Sequence, residues 1–337
     1  MNKNILVTGG LGYIGSHTCV ELISAGYTPI ILDDLSNCKE SVHARIQTIT
    51  QKNNIPFVRG DVCNRNLLDN IFAEYKPLAV MHFAGSKAVG ESVQKPLLYY
   101  RNNLETTLSL LETMQKYSVK SFIFSSSATV YGMDNTPPFT EDMPTGSVTN
   151  PYGRTKYIIE EILKDLHTAE QDWSITILRY FNPVGADASA MIGEDPNGVP
   201  NNLMPYIAKV ASGELSELKI FGNDYNTADG TGIRDYIHVT DLAKGHVAAL
   251  EKKGEESGLH IYNLGTGNGL SVMEVLKSYQ ETSGVTIPYT ITGRREGDLA
   301  ASYACADKAR QELGWSAKKN IHDMTLDSWN WIKSGNS

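Results

Sequence analysis

Tyr152 and Lys156 lie four residues apart in the segment Asn150-Pro151-Tyr152-Gly153-Arg154-Thr155-Lys156-Tyr157. Pro151 suits the first turn of a helix, and apolar residues recur at helical spacing after it, so both side chains are expected on one face of an amphipathic helix. An ammonium group beside a phenol favours the phenolate and lowers the pKa of the tyrosine from about 10 towards neutrality. The spacing alone also fits a solvated helix face, so the rest of the chain must decide whether the pair is an acid–base device.

A glycine-rich turn follows the first apolar strand, residues 4–8, and leads into a helix. The turn and the start of the helix contain Gly9, Gly12, Tyr13, Ile14 and Gly15. Glycines in this context let the backbone approach a pyrophosphate at the positive end of the helix, although a plain tight turn could use the same residues.

A second strand, residues 28–32, ends at Asp33, eighteen residues after Gly15. A carboxylate at that distance can accept hydrogen bonds from the adenosine ribose hydroxyls and repel a 2′-phosphate. The spacing therefore predicts NAD rather than NADP, although Asp33 and Asp34 could instead cap a loop.

Strands and helices continue to alternate along the first half of the chain. Further strands are predicted at 56–58, 78–83, 121–124 and 175–180, with helices near 67–72, across 95–117 and after Pro151. This order predicts an α/β fold with a doubly wound parallel (Rossmann) sheet and ligands at the carboxyl ends of its strands. Asp61, at one such end, could reach the adenine.

The apolar periodicity of the chain is lost after residue 181, which suggests two lobes. Residues 182–202 are rich in Gly and Pro and predict a long functional loop, followed by a helix at 203–210. We expect a Rossmann domain over 1–181, to which segments near 235–265 return, and a smaller α/β substrate lobe over 182–337. A strand at 260–265 and a helix starting near 271 are predicted there.

Composition limits the class of protein. The 337 residues have a formal net charge of -8, which argues against a nucleic-acid partner. No apolar run is long enough to span a membrane, and the N-terminus lacks the pattern of a signal peptide. Four scattered cysteines predict reduced thiols and a cytoplasmic location, and no histidine or cysteine spacing predicts a metal site.

Several motifs together resemble a known family over essentially the whole chain. Residues 8–15, Ser125-Ser126-Ser127-Ala128-Thr129-Val130-Tyr131-Gly132 and Tyr152-x-x-x-Lys156 resemble the extended short-chain dehydrogenase/reductases. Within that family, His82-Phe83-Ala84-Gly85, residues 179–185, Asn201-Asn202-Leu203-Met204-Pro205-Tyr206 and residues 234–239 are similar to the UDP-glucose 4-epimerases. Any single motif is weak, whereas all of them in this order are specific.

The resemblance implies a role for each matching residue. Tyr152 would be the general acid and base at the sugar 4-hydroxyl, Lys156 would lower its pKa and hold the nicotinamide ribose, and Ser127 would hydrogen-bond the 4-oxygen. Besides the residues of the glycine turn, Asp33, Tyr152 and Lys156, the positions that match NAD contacts are Asp61, Val62, Phe83, Ala84, Gly85, Lys87, Asn102 and Phe181. Besides Ser127 and Tyr152, the positions that match UDP-sugar contacts are Asn182, Asn202, Leu203, Lys219, Ile220, Phe221, Arg234, Arg295 and Asp298. The resemblance also implies a homodimer, formed through the helices near 95–117 and 152–170.

The implied reaction is reversible epimerisation at C4 of UDP-glucose and UDP-galactose through a 4-keto sugar, with tightly held NAD. A nucleotide-sugar 4,6-dehydratase would have an Asp-Glu pair directly after Ser127, where this chain has Ala128 and Thr129. A non-catalytic NAD sensor of the same fold would be expected to lack the tyrosine or the lysine.

Ser302 extends the expected substrates to the N-acetylhexosamines. A count forward from Arg295 without gaps places Ser302 at the family's size-limiting position beside the sugar C2 substituent, where a small residue leaves room for an N-acetyl group. A shift of one residue would instead place Tyr303 there.

Overall fold

The computed structural model describes residues 3–195, 200, 202–295 and 297–336. The strands are β1 (Asn4–Thr8), β2 (Thr28–Asp33), β3 (Phe57–Arg59), β4 (Ala79–His82), β5 (Ser121–Ser127), β6 (Ser174–Tyr180), β7 (Asn182–Val184), β8 (Leu218–Phe221), β9 (Ile233–His238), β10 (Gly258–Leu264), β11 (Gly269–Ser271), β12 (Tyr289–Thr292) and β13 (Ala301–Ser302). The helices are α1 (Tyr13–Ser24), α2 (Ser41–Thr50), α3 (Arg65–Tyr75), α4 (Val89–Gln94), α5 (Pro96–Lys116), α6 (Pro151–Ala169), α7 (Leu203–Ala211), α8 (Val239–Lys253), α9 (Val272–Ser283), α10 (Asp307–Leu313) and α11 (Ile321–Lys333), with a short 3₁₀ helix at Ala128–Tyr131.

A seven-stranded sheet in the order β10-β6-β5-β4-β1-β2-β3 forms the larger part of the molecule. Every pair of neighbouring strands in it is parallel, so the prediction of a doubly wound Rossmann sheet is confirmed. Successive residues of each strand face opposite layers of helices: Leu6 packs in one core cluster, and Ile5 and Val7 in the other. Both faces are covered, which explains why the strands contain long apolar runs.

The sheet order determines where the ligand site lies. β5, β4, β1 and β2 are consecutive neighbours in the sheet, so their carboxyl ends meet at one edge. The glycine turn, residues 83–85, Ser127 and Asp33 all occupy that edge, as expected for an open α/β sheet.

Two smaller sheets lie in the second half of the chain. β9 is flanked by antiparallel β11 and by parallel β13 and β7, whereas β8 pairs in parallel with β12. Helices α7, α9 and α11 contribute to a separate core cluster with β8, which includes Ile207, Ile220, Leu276 and Met324. β10 joins the seven-stranded sheet, whereas β9 belongs to the small one.

Some elements differ from the sequence-based expectation. The helix predicted over 95–117 corresponds to α5, and a separate short helix, α4, precedes it. Lys95 lies between the two helices, because Pro96 cannot continue α4 and instead occupies the first turn of α5. The loop predicted over 182–202 contains the short strand β7 and an isolated bridge between Ala186 and Gly193. Residues 196–199 and Asn201 of that loop, and Glu296 of the later motif, lie outside the described residues.

Candidate active site

The glycine turn is packed too closely for side chains. Gly9 has a φ of +68°, and a Cβ there would lie 2.8 Å from the backbone nitrogen of Ala84. A Cβ on Gly15 would lie 2.2 Å from the carbonyl oxygen of Gly9. The turn therefore rests directly on the end of β4, and any larger residue would move helix α1 away from the sheet.

The N-terminus of α1 is suited to bind an anion. The helix begins at Tyr13 after Gly12, which has no side chain to cap it, and its first turn contains no acidic residue. Backbone N–H groups and the positive end of the helix dipole therefore remain available to a pyrophosphate. This arrangement fits NAD, and it places Gly12, Tyr13 and Ile14 where the sequence predicted phosphate contacts.

Asp33 lies beside the glycine turn, where the sequence predicts the adenosine ribose. Its Oδ2 accepts a hydrogen bond from the backbone N–H of Leu11 at 3.0 Å, and its Oδ1 accepts one from the N–H of Leu35 at 3.0 Å. The Cys38 thiol donates to Oδ1 at 3.2 Å, and burial together with the Asp33 charge raises the pKa of that thiol. The carboxylate is thus fixed beside the glycine turn, in a position suited to hydroxyl donors.

The other residues predicted to contact the adenine or the nicotinamide follow strands β3, β4 and β6. Val62 is buried, and the Oδ1 of Asp61 accepts a hydrogen bond from the N–H of Cys63 at 2.8 Å. The ring of Phe83 packs on His246 with centroids 4.8 Å apart. Phe181 lies in a small cluster with Tyr131, Phe139 and Ala304.

Asn103 holds the segment after β4, and the sequence analysis missed it. Its Oδ1 accepts from the N–H of Ser86 at 2.8 Å, and its Nδ2 donates to the Ser86 carbonyl at 3.0 Å and to Thr155 Oγ1 at 2.9 Å. The neighbouring Asn102 donates to Ser86 Oγ at 3.0 Å. Asn103 therefore joins the loop after β4 to helix α6, and the sequence carried no signal for it, because an amide in a helix pattern reads as part of the solvated face.

Helix α6 begins as the sequence predicts. Pro151 occupies its first turn, and Asn150 Oδ1 accepts a hydrogen bond from the N–H of Gly153 at 2.9 Å. This cap fixes the turn that carries Tyr152. The side chain of Ser127 lowers the pKa of Tyr152, and its Oγ accepts a hydrogen bond from the Thr129 hydroxyl at 3.0 Å.

Lys156 lies beneath the tyrosine and contacts strand β5. Its Nζ donates to the carbonyl of Ser125 at 2.6 Å and lies 4.7 Å from the centre of the Phe124 ring. Burial lowers the pKa of Lys156 to about 8, and the nearby Glu160 carboxylate opposes that shift.

The predicted lowering of the Tyr152 pKa by Lys156 concerns the NAD-bound site and stays a prediction. Burial raises the pKa of Tyr152 above its ordinary value of 10.0, and the hydrogen bond with Ser127 offsets this only in part. The Lys156 ammonium donates to the Ser125 carbonyl and keeps its charge, which acts on the phenol through space. The cationic nicotinamide of bound NAD would add a second charge that favours the phenolate.

Lys87 lies between the cofactor and sugar candidates. Its Nζ is 3.1 Å from Glu194 Oε1 and 5.7 Å from the centre of the Tyr13 ring. The same Glu194 oxygen is 3.4 Å from Asn202 Nδ2. Glu194, which the sequence analysis did not single out, thus links a predicted NAD residue to a predicted UDP-sugar residue.

The predicted phosphate-binding arginines lie together. Arg234 donates to the Leu299 carbonyl at 2.8 Å and lies 3.5 Å from Asp298, and Arg295 donates to the same carboxylate at 2.9 Å. The Arg295 guanidinium stacks over the Phe221 ring at 4.8 Å. Two guanidinium groups around one carboxylate form a basic cluster with forks suited to phosphate oxygens.

The other residues predicted to contact the UDP-sugar differ in how far their side chains are exposed. Lys219 and Phe221 are exposed on one face of β8, whereas the side chain of Ile220 is buried in the core of the small lobe, so only its backbone is open to a ligand. Leu203 starts α7, and Asn182 pairs with Tyr236 in the small sheet.

Ser302 lies beside Arg234 in the register of β13 and β9. Residues paired across neighbouring strands project to the same face, and successive residues alternate, so Ser302 shares the face of Arg234 and Tyr303 faces the other way. A Cβ on Gly269 would lie 3.0 Å from the Tyr303 ring, which places that ring against β11.

Metal and membrane features are lacking in the part of the chain that the structure describes. No group of three or more His, Cys, Asp or Glu side chains there could hold a metal ion. Over the same residues, every helix is too short or too polar to cross a bilayer.

The parallel sheet, the uncapped glycine turn and the Ser127–Tyr152–Lys156 set define an NAD-binding Rossmann protein of the short-chain dehydrogenase/reductase type. The model of the NAD dependent epimerase/dehydratase family matches residues 5–265. The chain belongs to the NAD-dependent epimerase/dehydratase family, which confirms the predicted family and its cofactor.

Individual relatives are similar over their full length. A UDP-glucose 4-epimerase from Bacillus subtilis is 57% identical over 330 residues, which cover 98% of this chain and 97% of the relative. The human UDP-glucose 4-epimerase is 52% identical over 344 residues, covering 100% of this chain and 98% of the relative. The crystal structure of UDP-glucose 4-epimerase from Bifidobacterium longum in complex with NAD+ and UDP superposes with a TM-score of 0.95 at 53% identity, covering 99% of both chains.

Proposed function

We propose that this protein catalyses the reversible epimerisation of UDP-glucose and UDP-galactose at C4, using NAD that stays bound between turnovers. The proposal rests above all on one contact, the 2.6 Å hydrogen bond from Lys156 to the carbonyl of Ser125, which fixes the helix of Tyr152 and Lys156 to the strand that ends in Ser127. This contact lies at the sheet edge that also carries the glycine turn. Identity above 50% to UDP-glucose 4-epimerases over the whole chain supports it.

The residues of the chain handle the proton of the sugar 4-hydroxyl. Tyr152 accepts that proton in one direction and returns it in the other, while Ser127 hydrogen-bonds the same oxygen. When bound, NAD supplies a reversible hydride acceptor for C4, so the configuration at that carbon can be reset. Lys156 keeps a positive charge below the site, where it stabilises negative charge that develops on the phenol and the sugar oxygen.

A 4,6-dehydratase is not favoured by the residues after Ser127. Elimination of water needs an acid there, but Ala128 and Thr129 begin the 3₁₀ helix, and the Thr129 hydroxyl donates to Ser127. A non-catalytic sensor is not favoured either, because the complete Ser127, Tyr152 and Lys156 set is present.

We assign the uridine diphosphate to the basic cluster of Arg234 and Arg295, with Asp298, Phe221 and Lys219 around it and with Asn182, Asn202 and Leu203 on the opposite side. Both guanidinium groups share Asp298 as their partner. A diphosphate brings more negative charge than that one carboxylate, so it can compete for the two arginine forks.

The same site is proposed to accept UDP-N-acetylglucosamine and UDP-N-acetylgalactosamine. Ser302 shares the face of Arg234, and its small side chain leaves space beside a bound sugar. The keto sugar must also turn over within the pocket, so its demand for space is larger than that of a fixed pose.

A homodimer in the cytoplasm is the proposed working form. The exposed face of α5 carries Leu97 and Leu108, which are 81% and 42% exposed, and Leu104 lies between them on the same helix face. Apolar residues grouped in this way are suited to a second copy of the chain. Four free cysteines fit a reducing compartment.

One experiment tests the activity directly. The purified protein is incubated with UDP-galactose without added NAD, and the nucleotide sugars are separated over time. Formation of UDP-glucose to a constant ratio, reached also from UDP-glucose, is the expected result. No conversion, with NAD bound to a folded protein, would contradict the proposal.

A further inference from the structure

A buried ion pair lies directly behind the proton-transfer residues. Glu160 of α6 and Arg179 of β6 have side chains that are 0% and 2% exposed. Arg179 Nε donates to Glu160 Oε1 at 3.0 Å, and Arg179 Nη2 donates to Glu160 Oε2 at 2.6 Å. The Ser126 hydroxyl donates to Oε1 at 2.5 Å. Both carboxylate oxygens are therefore occupied, as a buried charge requires.

The contacts of Glu160 continue a series along strand β5. Lys156 donates to the carbonyl of Ser125, and Glu160 accepts from the hydroxyl of Ser126. The side chain of Ser127, the next residue of the strand, lowers the pKa of Tyr152. Three successive strand residues thus face three residues of α6 that are spaced four apart, on neighbouring turns of one helix face. Loss of the middle contact would remove the polar tie between helix and strand that takes no part in the reaction.

Arg179 also contacts residues of the 3₁₀ helix and of the loop that follows it. Its guanidinium stacks over the Tyr131 ring at 4.9 Å and donates to the Glu141 carbonyl at 3.3 Å. The Tyr131 hydroxyl in turn donates to Asn263 at 2.6 Å. Arg179 therefore helps to fix the loop after the 3₁₀ helix relative to α6, together with Arg154, which donates to the carbonyl of Val148 at 2.8 Å.

We propose that Glu160 is a positioning residue for proton transfer, which acts through Ser126 and Arg179 to hold helix α6, and with it Tyr152 and Lys156, in register with strand β5. The proposal rests on the proposed epimerase function. A buried pair is weak grounds for stability alone, because apolar residues of the same volume often serve as well. The pair can instead fix the register of α6 against β5, which apolar packing would not do. A carboxylate that is hydrogen-bonded at both oxygens allows only one position of the helix relative to the strand.

The charge of Glu160 also acts on Lys156, one helical turn earlier. The ionisable groups around Lys156 are Tyr152 and Glu160 on its own helix, His82 on β4, and Arg179 and Tyr180 on β6. Burial lowers the pKa of His82 to about 3, so this ring is neutral, and burial keeps Tyr180 protonated. Glu160 therefore supplies the negative charge that favours the lysine cation.

Four variants and one control test the proposal on the NAD-bound enzyme, with UDP-galactose as substrate. Glu160→Gln removes the charge, Arg179→Lys keeps the charge but loses the bidentate fork, and Ser126→Ala removes one hydrogen bond. Glu160→Gln/Arg179→Met removes both charges and leaves no buried ion unpaired, so it is expected to fold. Asp241→Asn, at a buried carboxylate that accepts from the N–H groups of Lys318 and Lys319, is the control.

Glu160→Gln is expected to lower kcat by about 10- to 100-fold, since misplacement of reacting groups has costs of that order, with little change in KM. Its alkaline loss of activity should begin at a lower pH, because removal of a negative charge disfavours the Lys156 cation. Arg179→Lys should lower kcat without changing the pH at which activity is lost on the alkaline side. The double variant should lower kcat as well. Ser126→Ala should lower kcat by about 3- to 10-fold, the size of the net contribution of one ordinary hydrogen bond, because Arg179 still holds both oxygens of Glu160.

A wild-type kcat and pH profile in Ser126→Ala and in the double variant would overturn the positioning role. The same holds if Asp241→Asn lowers kcat as much as these variants do. An inactive wild type would contradict the epimerase function instead, so the two failures are distinguishable.

Discussion

The Lys156 ammonium donates to the carbonyl oxygen of Ser125 at 2.6 Å. The lysine is thereby fixed to the strand that ends in Ser127, and it is buried. Burial lowers its pKa to about 8, within the range of ordinary assays. The position of the lysine therefore has a consequence for the pH dependence of the reaction.

The rate is expected to fall as the pH rises through about 8, because the lysine loses its proton there and the charge beneath Tyr152 disappears. Lys156→Met should lower kcat and shift the remaining activity upward in pH, since without the cation the tyrosine ionises only at higher pH. A pH–rate profile of both proteins checks this. Lys164→Met, on the same helix and paired with Glu161, is the control and should keep the wild-type profile.

Tyr152→Phe should keep the fold and the bound NAD but lower kcat by about 10²- to 10⁴-fold, which is typical for the loss of one general acid–base group. Tyr157→Phe removes a phenol from the same helix outside the predicted site and should leave kcat nearly unchanged. Rates of UDP-galactose conversion and the NAD released on denaturation are measured for both. Near-normal turnover by Tyr152→Phe would exclude this tyrosine as the proton acceptor.

Asp33→Ala should weaken the retention of NAD by about 10- to 100-fold, the equivalent of one or two hydrogen bonds to a charged group. The carboxylate also accepts from the N–H groups of Leu11 and Leu35, so a fall of about 1–3 kcal/mol in the free energy of unfolding is expected as well. Asp34→Ala is the control, because that carboxylate is exposed and accepts a local hydrogen bond from the N–H of Ser36. Released dinucleotide is measured by chromatography, and recovery of NADP from the wild type would contradict the role given to Asp33.

Leu97→Lys is expected to weaken self-association, because it places a charge on the most exposed leucine of the α5 face. The measurement is molar mass by light scattering over a range of protein concentrations. Lys116→Ala, at the other end of the same helix, should have no effect on molar mass. A wild type that remains a monomer at high concentration would contradict the proposed dimer.

The nucleotide-binding half of the fold could be predicted because its strands are buried on both faces and read as apolar runs between helices. The small lobe could not be predicted in the same way. β8 and β12 have four residues each and β13 has two, which is too short for a period to be seen, and β8 pairs with a strand far along the chain. Long-range pairing of this kind leaves no local signal.

The site shows the same division. Tyr152, Lys156 and the glycines are recognisable because their spacing has a chemical meaning. Glu160 and Asn103 were missed because a charged or amide residue in a helix pattern is normally assigned to the solvated face, and only the tertiary structure shows that both are buried. The sequence likewise could not show that burial raises the pKa of Tyr152 in the chain without its ligands, because burial depends on the packing of distant segments.

Ser302→Tyr should selectively lower activity on UDP-N-acetylgalactosamine while leaving UDP-galactose conversion within a few-fold of wild type. The argument is one of volume beside Arg234: a phenol ring on that face would occupy the space that an N-acetyl group needs, and overpacking costs about 1–3 kcal/mol or more. A penalty of this size corresponds to about a 5- to 150-fold loss in kcat/KM for the larger sugar. Ser302→Ala, which keeps the space and removes only the hydroxyl, is the control and should accept both sugars. The measurement is the ratio of kcat/KM for the two substrates in each protein.

Tyr303→Ala should not widen the range of substrates, because Tyr303 faces β11 instead. A wild type that does not convert the N-acetylated sugar would show that Ser302 does not leave the pocket open.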